Sequence, residues 1–377
     1  MTRTWMRVLS ASAAGALVAG LLVTAPAAAD DPVGIDAVVP PVTAATGTIS
    51  VTGHGFSATA SENVVRLNGT ALTVTSATAT ALTATVPAGV TSGPVTVQSP
   101  AGSATSASDV YIPPTGFTPA DVETYQRAVF GTAATAVVGT SGRISLLTVP
   151  GAAGHRISVK LATSTFGSST SNARVALYRP DGVAAIAPTG FATAGLFLEP
   201  YVMPLDGTYQ ILVDPQGTAV GQVAVTVYDL PADPAAPLAA GTPLTLATTV
   251  PGQNATATFT GTTGQRRAFQ FSAGTFGSSS YAYITVKKPD GTALVSSTAC
   301  GTSCWIDTKV LPADGTYTVL LDPQTSQVGA LTVQMTDVPA DATSTLVPGT
   351  SLTMTTTVAG QNAVASFAGV TNQRVAL

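Results

Sequence analysis

Two stretches of this chain, 108 residues apart, restrict its fold more than any other feature. Asp206-Gly207-Thr208-Tyr209-Gln210-Ile211-Leu212-Val213-Asp214-Pro215-Gln216 recurs as Asp314-Gly315-Thr316-Tyr317-Thr318-Val319-Leu320-Leu321-Asp322-Pro323-Gln324. Asp-Gly offers a residue that tolerates positive φ, so the chain can reverse tightly. Strand side chains alternate with period two, so Tyr317, Val319 and Leu321 share one face, as Tyr209, Ile211 and Val213 do. Asp-Pro-Gln ends each strand, because Pro has no N–H for the ladder. A period near 108 residues is a duplicated domain, far longer than solenoid repeats of about 20–50 residues. It fits a β-sandwich of roughly 100 residues.

Other motifs keep the same period. Pro-Ala-Asp occurs at Pro119, Pro231 and Pro339 and reads as the opening of each repeat. Gly151-Ala152-Ala153-Gly154-His155-Arg156 matches Gly261-Thr262-Thr263-Gly264-Gln265-Arg266, and Phe166-Gly167-Ser168-Ser169 matches Phe276-Gly277-Ser278-Ser279. Pro180-Asp181-Gly182 matches Pro289-Asp290-Gly291, and Val223, Val225 and Val227 match Leu331, Val333 and Met335. The offset drifts from 110 to 108, as short loop insertions make it do. A third copy opens with Gly360-Gln361-Asn362-Ala363, the counterpart of Gly252-Gln253-Asn254-Ala255, and includes Phe367, Gly369, Gln373 and Arg374. Its expected strands at 352–358, 363–367 and 374–377 lack the partners of the earlier copies, and three unpaired strands cannot bury a core unaided. The sequence therefore reads as the front part of a longer protein, with repeats at 115–234 and 235–342 and a truncated third at 343–377.

Ahead of the repeats, 37–112 reads as one unit. Thr48-Ile49-Ser50-Val51-Thr52 alternates and runs into Gly53-His54-Gly55-Phe56. Val64-Val65-Arg66-Leu67 precedes Asn68-Gly69, a strong hairpin signal. Two further short strands end at Pro87 and Pro100. Short strands separated by turns every eight to twelve residues indicate an all-β sandwich. Together, Gly53-His54-Gly55-Phe56 and the segments 64–69, 82–87 and 92–100 resemble an IPT/TIG domain, which has an immunoglobulin-like fold. That family occurs in transcription factors, receptor ectodomains and many bacterial surface proteins. The DNA-contacting loops of the transcription factors are not matched, so the resemblance implies the bacterial surface setting. Pro113-Pro114-Thr115-Gly116 reads as a stiff linker. The repeats, through Gly207-Thr208-Tyr209 and Gly315-Thr316-Tyr317 with the strands that follow, resemble bacterial pre-peptidase C-terminal β-sandwiches. That resemblance implies a non-catalytic module. The fold expected is all-β: tandem sandwiches, one immunoglobulin-like and the others jelly-roll-like or immunoglobulin-like.

Residues 1–29 have the outline of a secretory signal peptide. Arg3 and Arg7 form the basic region, 8–23 the apolar region, and Ala27-Ala28-Ala29 the small-residue cleavage signal. An uncleaved N-terminal anchor is the alternative, and the apolar stretch is short for it. No later run is long enough to span a bilayer as a helix, although hydrophobic residues make up 45% of the chain. Scarce Lys and abundant Ala point to a bacterial source. Without Arg3 and Arg7 the 15 basic residues fall to 13 against 19 acidic ones, a net charge of −6. That argues against nucleic acid or an anionic membrane as partner.

Little in the chain can carry chemistry. Of the two His, His54 sits in a Gly-rich turn and His155 occupies a position that is Gln265 and Gln373 in the other copies. A general base replaced by Gln loses its proton chemistry. No Gly-x-Ser-x-Gly elbow with an acid and a His is present. Cys300 and Cys304 lack the further ligands a structural zinc site needs, and the spacing is not Cys-x-x-Cys. In an exported chain they read as a local disulfide. Asp181, Asp206, Asp290 and Asp314 precede Gly, and Asp214 and Asp322 precede Pro. Such turns are ordinary Asx turns, with calcium the one cofactor they hint at. Trp305 aligns with Phe197 and reads as a core aromatic.

The function these features support is a non-catalytic secreted or cell-surface spacer or adhesive stalk. The alternative is a carbohydrate-binding accessory region of an extracellular hydrolase, with Tyr281, Tyr283 and Trp305 as its aromatic strip. The partner is open between a cell-surface polysaccharide and another surface protein. If 1–29 is a cleaved signal, intact-mass analysis of the secreted protein finds Asp30 as the first residue; Met1 or Thr2 at the N-terminus refutes it.

Overall fold

The computed structural model describes residues 32–276 and 281–376. The expected signal peptide, with Arg3 and Arg7, lies outside the described residues, as do Gly277, Ser278 and Ser279 of the repeated Phe-Gly-Ser-Ser motif. The described residues form strands, turns and short 3-10 segments, with no helix long and apolar enough to cross a membrane.

Eight strands build the first unit: β1 (Gly34–Val39), β2 (Thr48–His54), β3 (Val64–Leu67), β4 (Thr70–Ala71), β5 (Thr73–Ala77), β6 (Ala81–Thr85), β7 (Gly93–Ser99) and β8 (Gly102–Val110). They form two sheets, β1-β2-β6-β5 and β4-β3-β7-β8. Ile49, Val51, Leu82 and Ala84 face Val65, Leu67, Val95 and Val97 in the core between them. The Asn68-Gly69 signal gives the β3–β4 hairpin, with both residues at positive φ (46° and 81°).

The next nine strands are β9 (Val122–Arg127), β10 (Ala133–Val138), β11 (Ile144–Gly151), β12 (Arg156–Ser164), β13 (Ala173–Tyr178), β14 (Ala184–Phe191), β15 (Leu196–Val202), β16 (Gly207–Pro215) and β17 (Gly221–Leu230). Their sheets run β10-β17-β12-β15 and β14-β13-β16-β11-β9. Nine more follow: β18 (Ala235–Pro237), β19 (Leu244–Ala247), β20 (Ala255–Gly261), β21 (Arg266–Ser272), β22 (Ala282–Lys287), β23 (Ala293–Cys300), β24 (Cys304–Val310), β25 (Gly315–Pro323) and β26 (Ala330–Asp337). Their orders, β19-β26-β21-β24 and β23-β22-β25-β20-β18, repeat the first set strand for strand. In both sandwiches the opening strand pairs parallel to the third (β9 with β11, β18 with β20) and the remaining pairs are antiparallel. Two short strands, β27 (Ala342–Thr345) and β28 (Ala363–Ser366), pair in parallel just as β18 and β20 do. Around them Val347, Val364, Phe367, Val370 and Val375 are exposed.

The Asp-Gly-Thr-Tyr motif organises each sandwich. Tyr209 and Tyr317 are fully buried among the apolar residues of both sheets. A buried hydroxyl must be paired, and each closes on backbone four residues upstream. Tyr209 Oη donates to Leu205 O (3.0 Å) and accepts from Leu205 N; Tyr317 Oη donates to Ala313 O (2.7 Å) and accepts from Ala313 N. This is the tyrosine corner of sandwich folds. The preceding Asp ties in a second loop: Ala153 N donates to Asp206 Oδ1 (2.8 Å) and Thr263 N to Asp314 Oδ1 (2.6 Å). Gly207 and Gly315 sit at φ 125° and 134°, and a Cβ there would meet Pro180 or Pro289 at about 3 Å. The three recurring loop motifs thus meet at one end of each sandwich.

The two sandwiches differ in how their outer faces are covered. In the second, β20 and β25 alternate between buried and half-exposed positions. In the first, Ile144 to Val149 and Thr208 to Val213 are buried on both faces. The outer face there is apolar (Ile144, Leu146, Ala176, Leu212), where the second sandwich has Asn254, Thr256, Thr285 and Leu320. Tyr111 and Phe117 cover it. Pro113-Pro114-Thr115-Gly116, read as a linker, thus joins two units packed directly on each other.

Tyr209→Phe or Tyr317→Phe leaves backbone groups at the corner unpaired and should cost about 1–2 kcal/mol. The measurement is urea unfolding. Tyr281→Phe, whose hydroxyl among the described residues meets Tyr283 at 3.4 Å, should change stability little.

Candidate functional site

The residues singled out for chemistry are scattered. Among the described residues no three His, Cys, Asp or Glu side chains converge. His54 is exposed at the end of β2. His155 Nδ1 lies 3.7 Å from Asp229 Oδ1, and both side chains are largely exposed. The second sandwich pairs the counterpart carboxylate, Asp337, with Arg267 instead.

The Asp turns are occupied locally. Asp181 binds Arg179, and Asp290 accepts from the Thr292 N–H and hydroxyl. Asp214 accepts from the Gln216 amide, and burial raises its pKa. Cys300 and Cys304 bridge the ends of β23 and β24, which are edge strands of opposite sheets, with Cα atoms 5.5 Å apart. Tyr281 and Tyr283 touch edge to face (5.2 Å, 85°) beside β22, whereas Trp305 lies on β24 of the other sheet. The three aromatics therefore do not form one strip. Nor is Trp305 a core residue: it is 39% exposed, and its ring flanks Gly360.

What the structure does bring together are joints. At the first, Asp109 of β8 is buried and receives Arg127 Nε (2.9 Å), Arg127 Nη2 and the Thr148 hydroxyl (2.6 Å). Tyr111 packs on Tyr125 with ring centroids 4.9 Å apart, and burial pushes its pKa up to about 12. On the other side, Asn68 at the β3–β4 turn binds the backbone of Thr208 twice, accepting from its N–H (2.8 Å) and donating to its carbonyl (3.2 Å). The Thr91 hydroxyl donates to Pro180 O (2.7 Å). Ser92 Oγ accepts from Ile112 N (2.7 Å) and lies 3.2 Å from Ile112 O and 3.0 Å from the Gln210 amide. One hydroxyl proton cannot serve two acceptors. The orientation that uses each donor sends that proton to Ile112 O and turns Gln210 Nε2 toward Ser92.

The second joint, between the two sandwiches, recurs as a third. Arg156 forks onto Asp233 (2.6 and 3.0 Å), which also accepts from Asn254 N. Arg266 binds Asp341 (2.5 Å), which accepts from Asn362 N. Gln253 Nε2 donates to Ala232 O and Gln361 Nε2 to Ala340 O. Gly252 (φ 88°) lies against Ser158 and Pro200, and Gly360 (φ 85°) against Ala268, Thr308 and Trp305. Hydroxyls from the preceding sandwich secure the loop, Ser158 to Pro251 O (2.7 Å) and Thr308 to Gly360 O (2.6 Å). Pro-Ala-Asp and Gly-Gln-Asn, which in sequence only mark where a repeat opens, are the contact residues. Glu199 of the first sandwich and Asp322 of the second also interact here. Burial raises both pKa values, and their mutual repulsion adds to the rise at Glu199.

Sequence reading missed Asp109, Arg127 and Thr148. Their one signal was the unbroken run Ile144-Ser145-Leu146-Leu147-Thr148-Val149, which marks a strand buried on both faces. Arg127→Leu strands a buried carboxylate, which costs about 3 kcal/mol or more, whereas Asp109→Asn with Arg127→Leu should recover part of the loss. Thermal unfolding of the two variants checks this, and equal stabilities would contradict it.

An IPT/TIG domain family model matches residues 32–118. No curated protein matches the chain. Among solved structures, an auxiliary nutrient binding protein from Bacteroides thetaiotaomicron is 15% identical over 30% of this chain and 25% of its own, with a TM-score of 0.22. The Bacteroides ovatus mixed-linkage glucan utilization locus protein SGBP-B, solved with a mixed-linkage heptasaccharide, is 16% identical over 81% of this chain and 74% of its own, with a TM-score of 0.19. The CUB1-EGF-CUB2 domains of rat MASP-1 are 9% identical over 56% of this chain and 100% of their own, with a TM-score of 0.19. The chain thus spans about a quarter of the first of these proteins. Residues 32–118 are an immunoglobulin-like IPT/TIG domain, followed by two β-sandwiches of one topology.

Proposed function

We propose that this chain is a non-catalytic extracellular spacer, a series of sandwiches held in fixed relation by a repeated joint. The observation that carries the reading is the recurrence of that joint. Arg156 with Asp233 and Gly252 is repeated as Arg266 with Asp341 and Gly360. A linker selected only for length needs no positive-φ glycine seated against the preceding sandwich and no ion pair across it. A spacer that sets a distance needs both, because each contact removes a freedom the connection would otherwise have. The signal-peptide outline at 1–29, the Cys300–Cys304 bridge and the resemblance of the repeats to pre-peptidase C-terminal modules support an exported, surface-associated setting.

Spin labels at Thr189→Cys and Ser296→Cys, exposed positions in successive sandwiches, test the reading by pulsed dipolar spectroscopy. The expected result is one narrow distance distribution that broadens in Asp233→Ala/Gly252→Val. A broad distribution in the unaltered protein would mean a flexible string and would remove the basis for a spacer.

A further inference from the structure

A cleft of about 520 Å³ opens between the IPT/TIG domain and the first sandwich, within the range of ligand sites of roughly 300–1,000 Å³. Three edge strands bound it: β1, β8 and β9 each terminate a sheet. At its end the segments that follow β1 and β8 draw together, where Thr43 N donates to Tyr111 O (3.0 Å) and Tyr111 N to Pro41 O (2.8 Å). Both of these strands are bulged beside the cleft. Asp36 is the extra residue of a break in the β1–β2 register between Ile35 and Ala37. Ser106, Ala107 and Ser108 form the break in β8, opposite Val95 of β7. Bulges re-aim side chains and interrupt a ladder. Here they place the exposed Asp36 and Ser108 on the cleft wall.

The floor is built rather than incidental. Tyr125 is 41% exposed, with its ring held by Tyr111. The Arg127 side chain is also 41% exposed, yet its Nε and Nη2 are fixed by the buried Asp109. Its planar guanidinium is therefore immobilised before any ligand arrives, and ordering it costs no further entropy.

We propose that this cleft binds a neutral glycan, with the apolar face of one sugar ring on Tyr125 and its hydroxyls bonded to Arg127, Asp36 and Ser108. An aromatic platform beside a fixed planar guanidinium, with a carboxylate and a hydroxyl on the wall, suits a ligand that is apolar on its faces and hydroxylated at its edges. An anionic ligand meets two carboxylates against one guanidinium already paired. An added peptide strand meets two bulged edges that cannot continue a ladder. The site is independent of the spacer reading and of the Tyr281, Tyr283 and Trp305 positions.

Affinity electrophoresis of the full chain through gels containing mixed-linkage glucan, xylan, galactomannan or amylopectin tests the proposal, with alginate as the anionic comparison. The expected result is retardation by at least one neutral polymer. It should weaken tenfold or more in Tyr125→Ala and severalfold in Asp36→Ala, and stay unchanged in Tyr283→Ala and Trp305→Ala. Asp36 is an exposed bulge residue, so its variant reports on the site even if Tyr125→Ala disturbs the joint; circular dichroism confirms that each is folded. Retardation by none of the neutral polymers, retardation only by alginate, or full affinity in the Asp36 variant would each overturn it. The spin-label distances are expected to be the same in Asp36→Ala as in the parent, so the two readings fail separately.

Discussion

A tyrosine hydroxyl that has to be buried and still find a partner is the constraint on which each sandwich depends. Tyr209 and Tyr317 fill the centre of their cores, and neither hydroxyl reaches water. The solution is local: Leu205 and Ala313, four residues upstream, supply both an acceptor and a donor. That closure fixes the corner, and the corner fixes its surroundings. The Asp between bonds the loop before β12 or β21, and the Gly admits Pro180 or Pro289 at a distance no other residue would allow. Asp, Gly and Tyr of the motif each meet a different neighbour in both sandwiches.

The same fold then meets two environments. In the first sandwich the outer face of β11, β13 and β16 is apolar and lies under Tyr111 and Phe117. In the second, the equivalent face carries Asn254, Thr256 and Thr285 and stays half-exposed. Burying that face in the first sandwich also buried Asp109. A lone carboxylate there would be strongly destabilising, and Arg127 with the Thr148 hydroxyl compensates for it. The pair fixes where the two units meet more than it strengthens either one. It also holds Arg127 and Tyr125 still at the mouth of the cleft.

The joints between sandwiches are made differently. They rely on an Arg–Asp ion pair, forked at Arg156, a glycine at positive φ and hydrogen bonds to backbone. Such contacts are directional, and they set orientation more than affinity. The like charges of Glu199 and Asp322 oppose the joint between the two sandwiches, so that joint is held by geometry against some repulsion.

The sequence by itself determined the all-β class, the 108-residue duplication and the inward faces of the strands. These follow from nearest-neighbour rules: period-two alternation, Asp-Gly turns and strand-ending Pro. It also located the Asn68-Gly69 hairpin. It could not show that Pro-Ala-Asp and Gly-Gln-Asn touch, because their contact depends on a turn and a sandwich face brought together by folding. Trp305 was misread for the same reason: the strand pattern resembles a core position, but β24 is an edge strand and its outer neighbour is the next repeat. The run at 144–149 marked a strand buried on both faces, but not that Asp109, separated from Arg127 by a proline-rich connector, would be what covers it. Which face of a sheet is covered by another unit is settled only when the units pack, and the cleft at Tyr125 exists only there.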